Sequence, residues 1–98
     1  MTIDFTNENK TLYVSLNGRL DSKTTSDLEN FFKKELTDET TSLTLNFANV
    51  DYISSKGLRI LIAVYKTMKP RPMTIVNINT SVKEILRISG LLELFNLV

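Results

Sequence analysis

The stretch Asn46-Phe47-Ala48-Asn49-Val50-Asp51-Tyr52-Ile53-Ser54-Ser55-Lys56-Gly57-Leu58 joins an alternating apolar run to a long apolar helix. On its upstream side Leu43, Leu45 and Phe47 alternate with Thr44 and Asn46, the two-residue period of a strand with one buried face. After a loop, Leu58, Leu61, Ile62, Tyr65 and Met68 recur at helical spacing, broadened by Ile60, Ala63 and Val64. They predict a helix from about Lys56 to Lys69, stopped by Pro70 and Pro72. A strand handing over to a helix creates the edge at which ligands and partners sit in open α/β sheets. Ser54 is placed to cap that helix, its hydroxyl accepting from an unpaired amide two or three residues on. Ser55 then falls on the first helical position, exposed beside free N–H groups at the positive end of the helix dipole, where a phosphate is well tolerated. Taken alone, two serines before an apolar helix are most often only a cap. Gly57 in the first turn costs roughly 1 kcal/mol against alanine, which suggests a close packing contact.

Working outward, Ile3 and Phe5 alternate with polar neighbours up to a turn at Asn7-Glu8-Asn9-Lys10, and Leu12, Val14 and Leu16 resume the alternation. That pair reads as a β-hairpin. Gly18 and Asp21-Ser22 are expected to break the second strand and offer caps to a helix from about Thr24 to Leu36, with Leu28, Phe31, Phe32 and Leu36 on its apolar stripe. Beyond Pro72, Met73 to Ile78 reads as a buried strand. Ser81 and Glu84 have the spacing of a capping box for a helix that buries Val82, Ile85 and Leu86 and stops at Gly90. The apolar tail, residues 91–98, fits a short helix or a last strand. The order is β-β-α-β-α-β-α plus this tail: an α/β domain with a mixed, mostly parallel sheet of four to five strands. The clean alternation of the second and third strands implies helices mainly on one face and an open second face.

The chain's 98 residues suit one domain, with 42% apolar and 23% charged residues. It has no cysteine and no histidine, which removes disulfides, thiolate metal sites, the usual general base and the commonest zinc ligand. No metal or cofactor is expected. A net charge of +1 does not suggest direct nucleic-acid binding. The charge is nevertheless divided: residues 1–50 carry five basic and eight acidic side chains, residues 51–98 seven basic and three acidic. Lys56, Arg59, Lys66, Lys69 and Arg71 fall in one short stretch, and solvation of an outer helix face explains them at least as well as a binding role. No signal peptide opens the chain, and its longest apolar run, Ile60 to Tyr65, is far below the roughly 20 residues that span a bilayer. A cytoplasmic protein without membrane attachment is the expectation.

The run Tyr52-Ile53-Ser54-Ser55-Lys56-Gly57-Leu58-Arg59-Ile60-Leu61 resembles the signature of STAS-domain anti-sigma factor antagonists, in which a phosphorylated serine precedes a small residue and Gly-Leu. Gly18-Arg19-Leu20-Asp21, Leu45-Asn46-Phe47 and Ile88-Ser89-Gly90-Leu91 resemble three further elements of that family, in the same order. The resemblance covers essentially the whole chain and implies one STAS domain over residues 1–98. It implies Ser55 as phosphoacceptor, with Ser54 as the weaker alternative, and Asp21 and Asn46 near it at one sheet edge. A partner-binding surface of Asp21, Asn46, Ser54, Ser55, Lys56, Gly57 and Arg59 follows. Many relatives carry aspartate at the position of Ser54 and a small residue at that of Lys56. The implied partners are an anti-sigma factor serine kinase, released when it phosphorylates Ser55, and a PP2C-type phosphatase that restores binding. The chain itself would be a monomer or weak dimer. Arg59, one turn after Ser55, is placed to hold the new phosphate.

Three rival readings remain beside it. One is a STAS switch in a circuit without a sigma factor, such as secretion or stress signalling. Another is a nucleotide or small-ligand module, against which stands the lack of any Gly-rich phosphate loop among three glycines. The third is an enzyme using Ser54, Ser55 and Lys56, disfavoured because neighbouring residues at a helix start point about 100° apart.

Overall fold

The computed structural model describes residues 1–98. Its elements are β1 (Thr2–Glu8), β2 (Thr11–Leu20), α1 (Thr25–Glu35), β3 (Ser42–Ile53), α2 (Ser55–Met68), β4 (Met73–Val76), α3 (Thr80–Ile88) and β5 (Asn96–Leu97). The five strands form one sheet in sequential order, β1 antiparallel to β2 and the rest parallel. Each parallel step moves the same way across the sheet. Right-handed crossovers then carry all three helices to the same face. Leu12, Val14, Leu16, Leu43, Leu45, Phe47 and Ile75 point to that face and are almost fully buried. Tyr13, Asn46 and Thr74 point the other way, onto a sheet face that no helix covers. The expectation of one covered and one open face holds.

The tail supplies the fifth strand. Gly90, at φ +74, takes the left-handed position after α3, and the Leu91 N–H donates to the Leu86 carbonyl at 2.9 Å. This closes α3 as expected and turns the chain back. Phe95 is then buried edge-on against Tyr65, with centroids 5.9 Å apart.

Five local expectations are corrected. Gly18 does not end its strand: β2 runs on to Leu20 and β3 runs on to Ile53, where a loop was expected. The pairing survives because β3 has an extra residue at two register shifts, opposite Ser15/Asn17 and Gly18/Leu20. Bulges of this kind bend a strand pair without ending it. Strand β4 stops at Val76 rather than Ile78, since Asn77 adopts φ +59. The cap of α3 is Asn79, not Ser81: the Asn79 carboxamide oxygen accepts from the Val82 N–H at 2.8 Å while its NH2 group donates to the Val50 carbonyl at 2.8 Å. A serine has no second arm for that tie to β3, and Glu84 pairs with Arg87 instead. Finally, α2 is rolled about its axis. Gly57, Ile60, Leu61, Val64 and Met68 are buried, while Leu58, Ile62 and Tyr65 are half-buried and Ala63 is exposed.

One side chain fastens the far end of the fold. The Arg71 guanidinium donates to the carbonyls of Met68, Thr37, Thr40 and Thr67 at 3.1, 3.0, 2.6 and 2.7 Å, tying the end of α2 to the turn before β3. A planar fork with five donors suits this cage and an ammonium does not. Arg71→Lys is expected to lose about 1–2 kcal/mol of stability and Arg71→Ala about 2–3 kcal/mol, from the usual worth of hydrogen bonds to charged groups. Urea unfolding of the three proteins checks the order; equal stability of the lysine variant and the parent would refute it.

Candidate functional site

At the end of β3 the Ser54 N–H donates to the Leu20 carbonyl at 2.7 Å, bringing the start of α2 against the end of β2. Ser54 is extended, at φ −81 and ψ 171, and its hydroxyl accepts from the Gly57 N–H at 3.2 Å, the cap expected from the sequence. Its carbonyl accepts from the Leu58 N–H at 2.9 Å. Gly57 faces the sheet so closely that a Cβ there would lie 3.0 Å from Ile53 Cγ2 and 3.1 Å from the Leu20 carbonyl oxygen. The missing side chain is what lets the helix approach, and it accounts for the roll of α2.

Ser55 follows as the first residue of α2 and is exposed. Neither its backbone N–H nor that of Lys56 has an acceptor in the chain. Lys56 and Arg59 are also exposed, and neither forms an ion pair. A hydroxyl with open access, two free amides and two unpaired cations therefore share one helical turn. Such a turn accommodates a negative charge added from outside.

Asp21 lies directly after Leu20, so the Ser54–Leu20 hydrogen bond places it beside the start of α2. Its Oδ1 accepts from the backbone N–H groups of Lys23 and Thr24 at 2.9 and 3.1 Å, forming the turn that leads into α1. These amide hydrogen bonds, with smaller contributions from the Thr24 hydroxyl and from Arg19, hold its carboxyl below the usual value of 3.8 against some desolvation. Asn46 is not brought to the site. It lies seven residues back along β3, about 20 Å away at the usual rise per residue. There, on the open face, its carboxamide donates to the Tyr13 hydroxyl and accepts from the Ala48 N–H and from Asn77, at 3.1, 3.0 and 3.1 Å. The bulged extension of β3, unseen in the sequence, is the reason for this separation.

Two residues that the sequence reading passed over join the rim. The Arg19 guanidinium lies 4.6 Å from the centroid of the Tyr52 ring, and Tyr52 is 39% exposed. Each is next to a residue that anchors the site, Arg19 before Leu20 and Tyr52 before Ile53. In a strand such neighbours face away from the core. That parity was the available signal, hidden by the assumption that both strands had already ended.

The family model of the STAS domain matches residues 2–98. The chain belongs to the STAS domain family. It is 26% identical to the anti-sigma-B factor antagonist of Staphylococcus aureus strain NCTC 8325 over 98 residues, covering 98% of this chain and 91% of that one. The crystal structure of an anti-sigma factor antagonist from Mycobacterium paratuberculosis superposes with a TM-score of 0.87 at 25% identity, covering 98% of this chain and 83% of the other. The anti-sigma factor antagonist SpoIIAA in its unphosphorylated form shares the fold, with a TM-score of 0.83 at 15% identity over 99% of this chain and 88% of that one. No helix of this STAS domain is long and apolar enough to cross a membrane.

Two measurements test this description of the site. Gly57→Ala is expected to be destabilising by about 1–2 kcal/mol: overpacking of about 1–3 kcal/mol exceeds the helix-propensity gain of alanine. The oxygen it meets cannot retreat without breaking the Ser54 hydrogen bond, so thermal unfolding of an unchanged or stabilised variant would contradict the close approach. Asp21 has a lowered pKa in the folded state, so its stabilisation is complete above 3.8, the unfolded value, and is lost as pH falls through the lower folded value. Urea titrations from pH 6 to pH 2 should show a shallower acid loss for Asp21→Ala than for the parent. Parallel curves would refute it.

Proposed function

We propose that this STAS domain is a non-catalytic anti-sigma factor antagonist of the cytoplasm that works by partner switching at Ser55. Unmodified, it binds an anti-sigma factor that is also a serine kinase. Phosphorylation of Ser55 by that kinase breaks the complex, and a PP2C-type phosphatase restores it. The observation that carries the reading is the exposed Ser55 hydroxyl at the first position of α2, on a helix start fixed to β2 through Ser54 and Gly57. Its full-length similarity to named antagonists supports the pathway, and SpoIIAA, of the same fold, has structures in both the unphosphorylated and the phosphorylated form.

The chemistry of the switch is electrostatic. A phosphate adds about −1.5 to −2 charges at one surface point. Free in water it meets amides and cations, but at the centre of an interface an unpaired anion costs several kcal/mol. A loss of about 3 kcal/mol weakens binding by more than a hundredfold, which is sufficient for release. Asp21, Ser54, Ser55, Lys56 and Arg59, joined by Arg19 and Tyr52, make up the partner surface; Gly57, expected on it, is buried against Leu20 and Ile53 and only sets the helix start, and Asn46 lies apart.

The test uses the purified chain, its candidate kinase and ATP. One phosphate mapped by mass spectrometry to Ser55, loss of binding by the modified protein, and retained binding without modification in Ser55→Ala are the expected results. Ser55→Glu should weaken binding at least tenfold. A phosphate on Ser54 alone, or equal binding of modified and unmodified protein, would overturn the assignment. A sigma factor freed from the kinase on mixing separates this pathway from a STAS switch in another circuit.

A further inference from the structure

Because β2 and β3 are parallel neighbours, α1 and α2 start at the same sheet edge and run side by side. Between them lies a half-open cavity of about 270 Å³ lined by Thr25, Ser26, Glu29, Lys56, Arg59 and Ile60 among others. The positive ends of both helices lie at one end of it. At α1 the cap is unfilled: the Thr24 hydroxyl donates to the Arg19 carbonyl at 2.5 Å and makes no bond to the helix amides. The N–H groups of Ser26 and Asp27, like those of Ser55 and Lys56, have no acceptor in the chain. An independent observation comes from Thr25. It is 1% exposed, it lines the cavity, and its hydroxyl oxygen is the one buried side-chain polar atom in the protein without a hydrogen-bond partner. A buried orphan hydroxyl marks a missing partner.

Of the three charged residues on its wall, two are cations. Lys56 and Arg59 face the cavity without a carboxylate partner, and the acidic wall residue Glu29 is drawn to Lys33 at 3.6 Å. We propose that this cavity is a binding site for a phosphate-type oxyanion, held by Lys56, Arg59, the hydroxyls of Thr25 and Ser26, and the free amides of the two helix starts. The volume holds a tetrahedral anion together with bound waters. Two carriers share this chemistry: phosphate free in solution or on a small molecule, and phosphate on Ser55, one helical turn from Arg59. The first carrier makes the site independent of the switch described above.

The probe is inorganic phosphate, titrated into the unmodified full chain at constant ionic strength and followed by amide NMR. Saturable shifts concentrated at Thr25, Ser26, Lys56 and the Arg59 side chain are expected, with affinity at least tenfold weaker in Arg59→Met and in Lys56→Met. Thr25→Val keeps the shape and removes the orphan oxygen. It should fold at least as stably as the parent while binding phosphate several-fold more weakly, a separation that a purely structural threonine would not give. In protein phosphorylated on Ser55, a phosphorus resonance that moves in Arg59→Met, together with loss of added-phosphate binding, assigns the site to the second carrier. Shifts spread evenly over Lys10, Lys34 and Lys83 and unchanged in Arg59→Met would mean an adventitious ion only and overturn the proposal. So would no saturable shift in the unmodified chain combined with a phosphoserine resonance indifferent to Arg59→Met.

Discussion

Two backbones approach each other where β2 ends and α2 begins, and the functional edge is organised around that approach. The Leu20 carbonyl accepts from the Ser54 N–H, and Gly57 packs on the same carbonyl from the next turn. Between these contacts the chain has no freedom to place Ser55 anywhere but outward. The Ser54 cap closes the loop by holding the Gly57 amide in the helix. A side chain at position 57 would act on all three contacts at once, moving the helix start, the cap and the serine together.

The long, bulged pair of β2 and β3 is what extends this approach beyond the rest of the sheet. Strand β4 pairs with β3 only from Leu43 to Asn46, so the last turn of sheet is a two-stranded ribbon. A ribbon with a free edge is marginal alone. Asn79 covers part of that edge by donating to Val50 while capping α3, so that the third helix braces the strand that carries the site. Away from the ribbon, Asn17, Asn46, Asn49 and Tyr13 link the strands through side-chain hydrogen bonds across the open face. Amide and phenol groups satisfy one another there, which keeps the uncovered face polar.

The electrostatic character of the edge is set by parallel topology as much as by lysine and arginine. Two helices starting together bring two sets of unpaired amides to one side, and the main carboxylate among them, Asp21, is already engaged by the Lys23 and Thr24 amides. Lys56 and Arg59 then remain without partners. An anion arriving here, whether from solution or on Ser55, finds donors that are already oriented and displaces no internal ion pair.

Much of this was legible in the residues. The alternation of Leu12, Val14 and Leu16 and of Leu43, Leu45 and Phe47, the prolines after Met68, and Gly90 determined the element order and the single covered face, because side-chain parity and backbone stereochemistry act locally. Ser54 as cap and Ser55 as the exposed first helical residue followed from the same local rules. Tertiary structure decided what depends on residues distant in sequence. The spacing of Phe47, Val50 and Ile53 by threes does not look like a strand until β2 is beside it to absorb the extra residues. Asn79 caps α3 in place of Ser81, and its second arm is held by Val50 on a distant strand. The separation of Asn46 from Ser55, the pairing of Arg19 with Tyr52 and the orphaned hydroxyl of Thr25 all arise from contacts between segments, which no local pattern encodes.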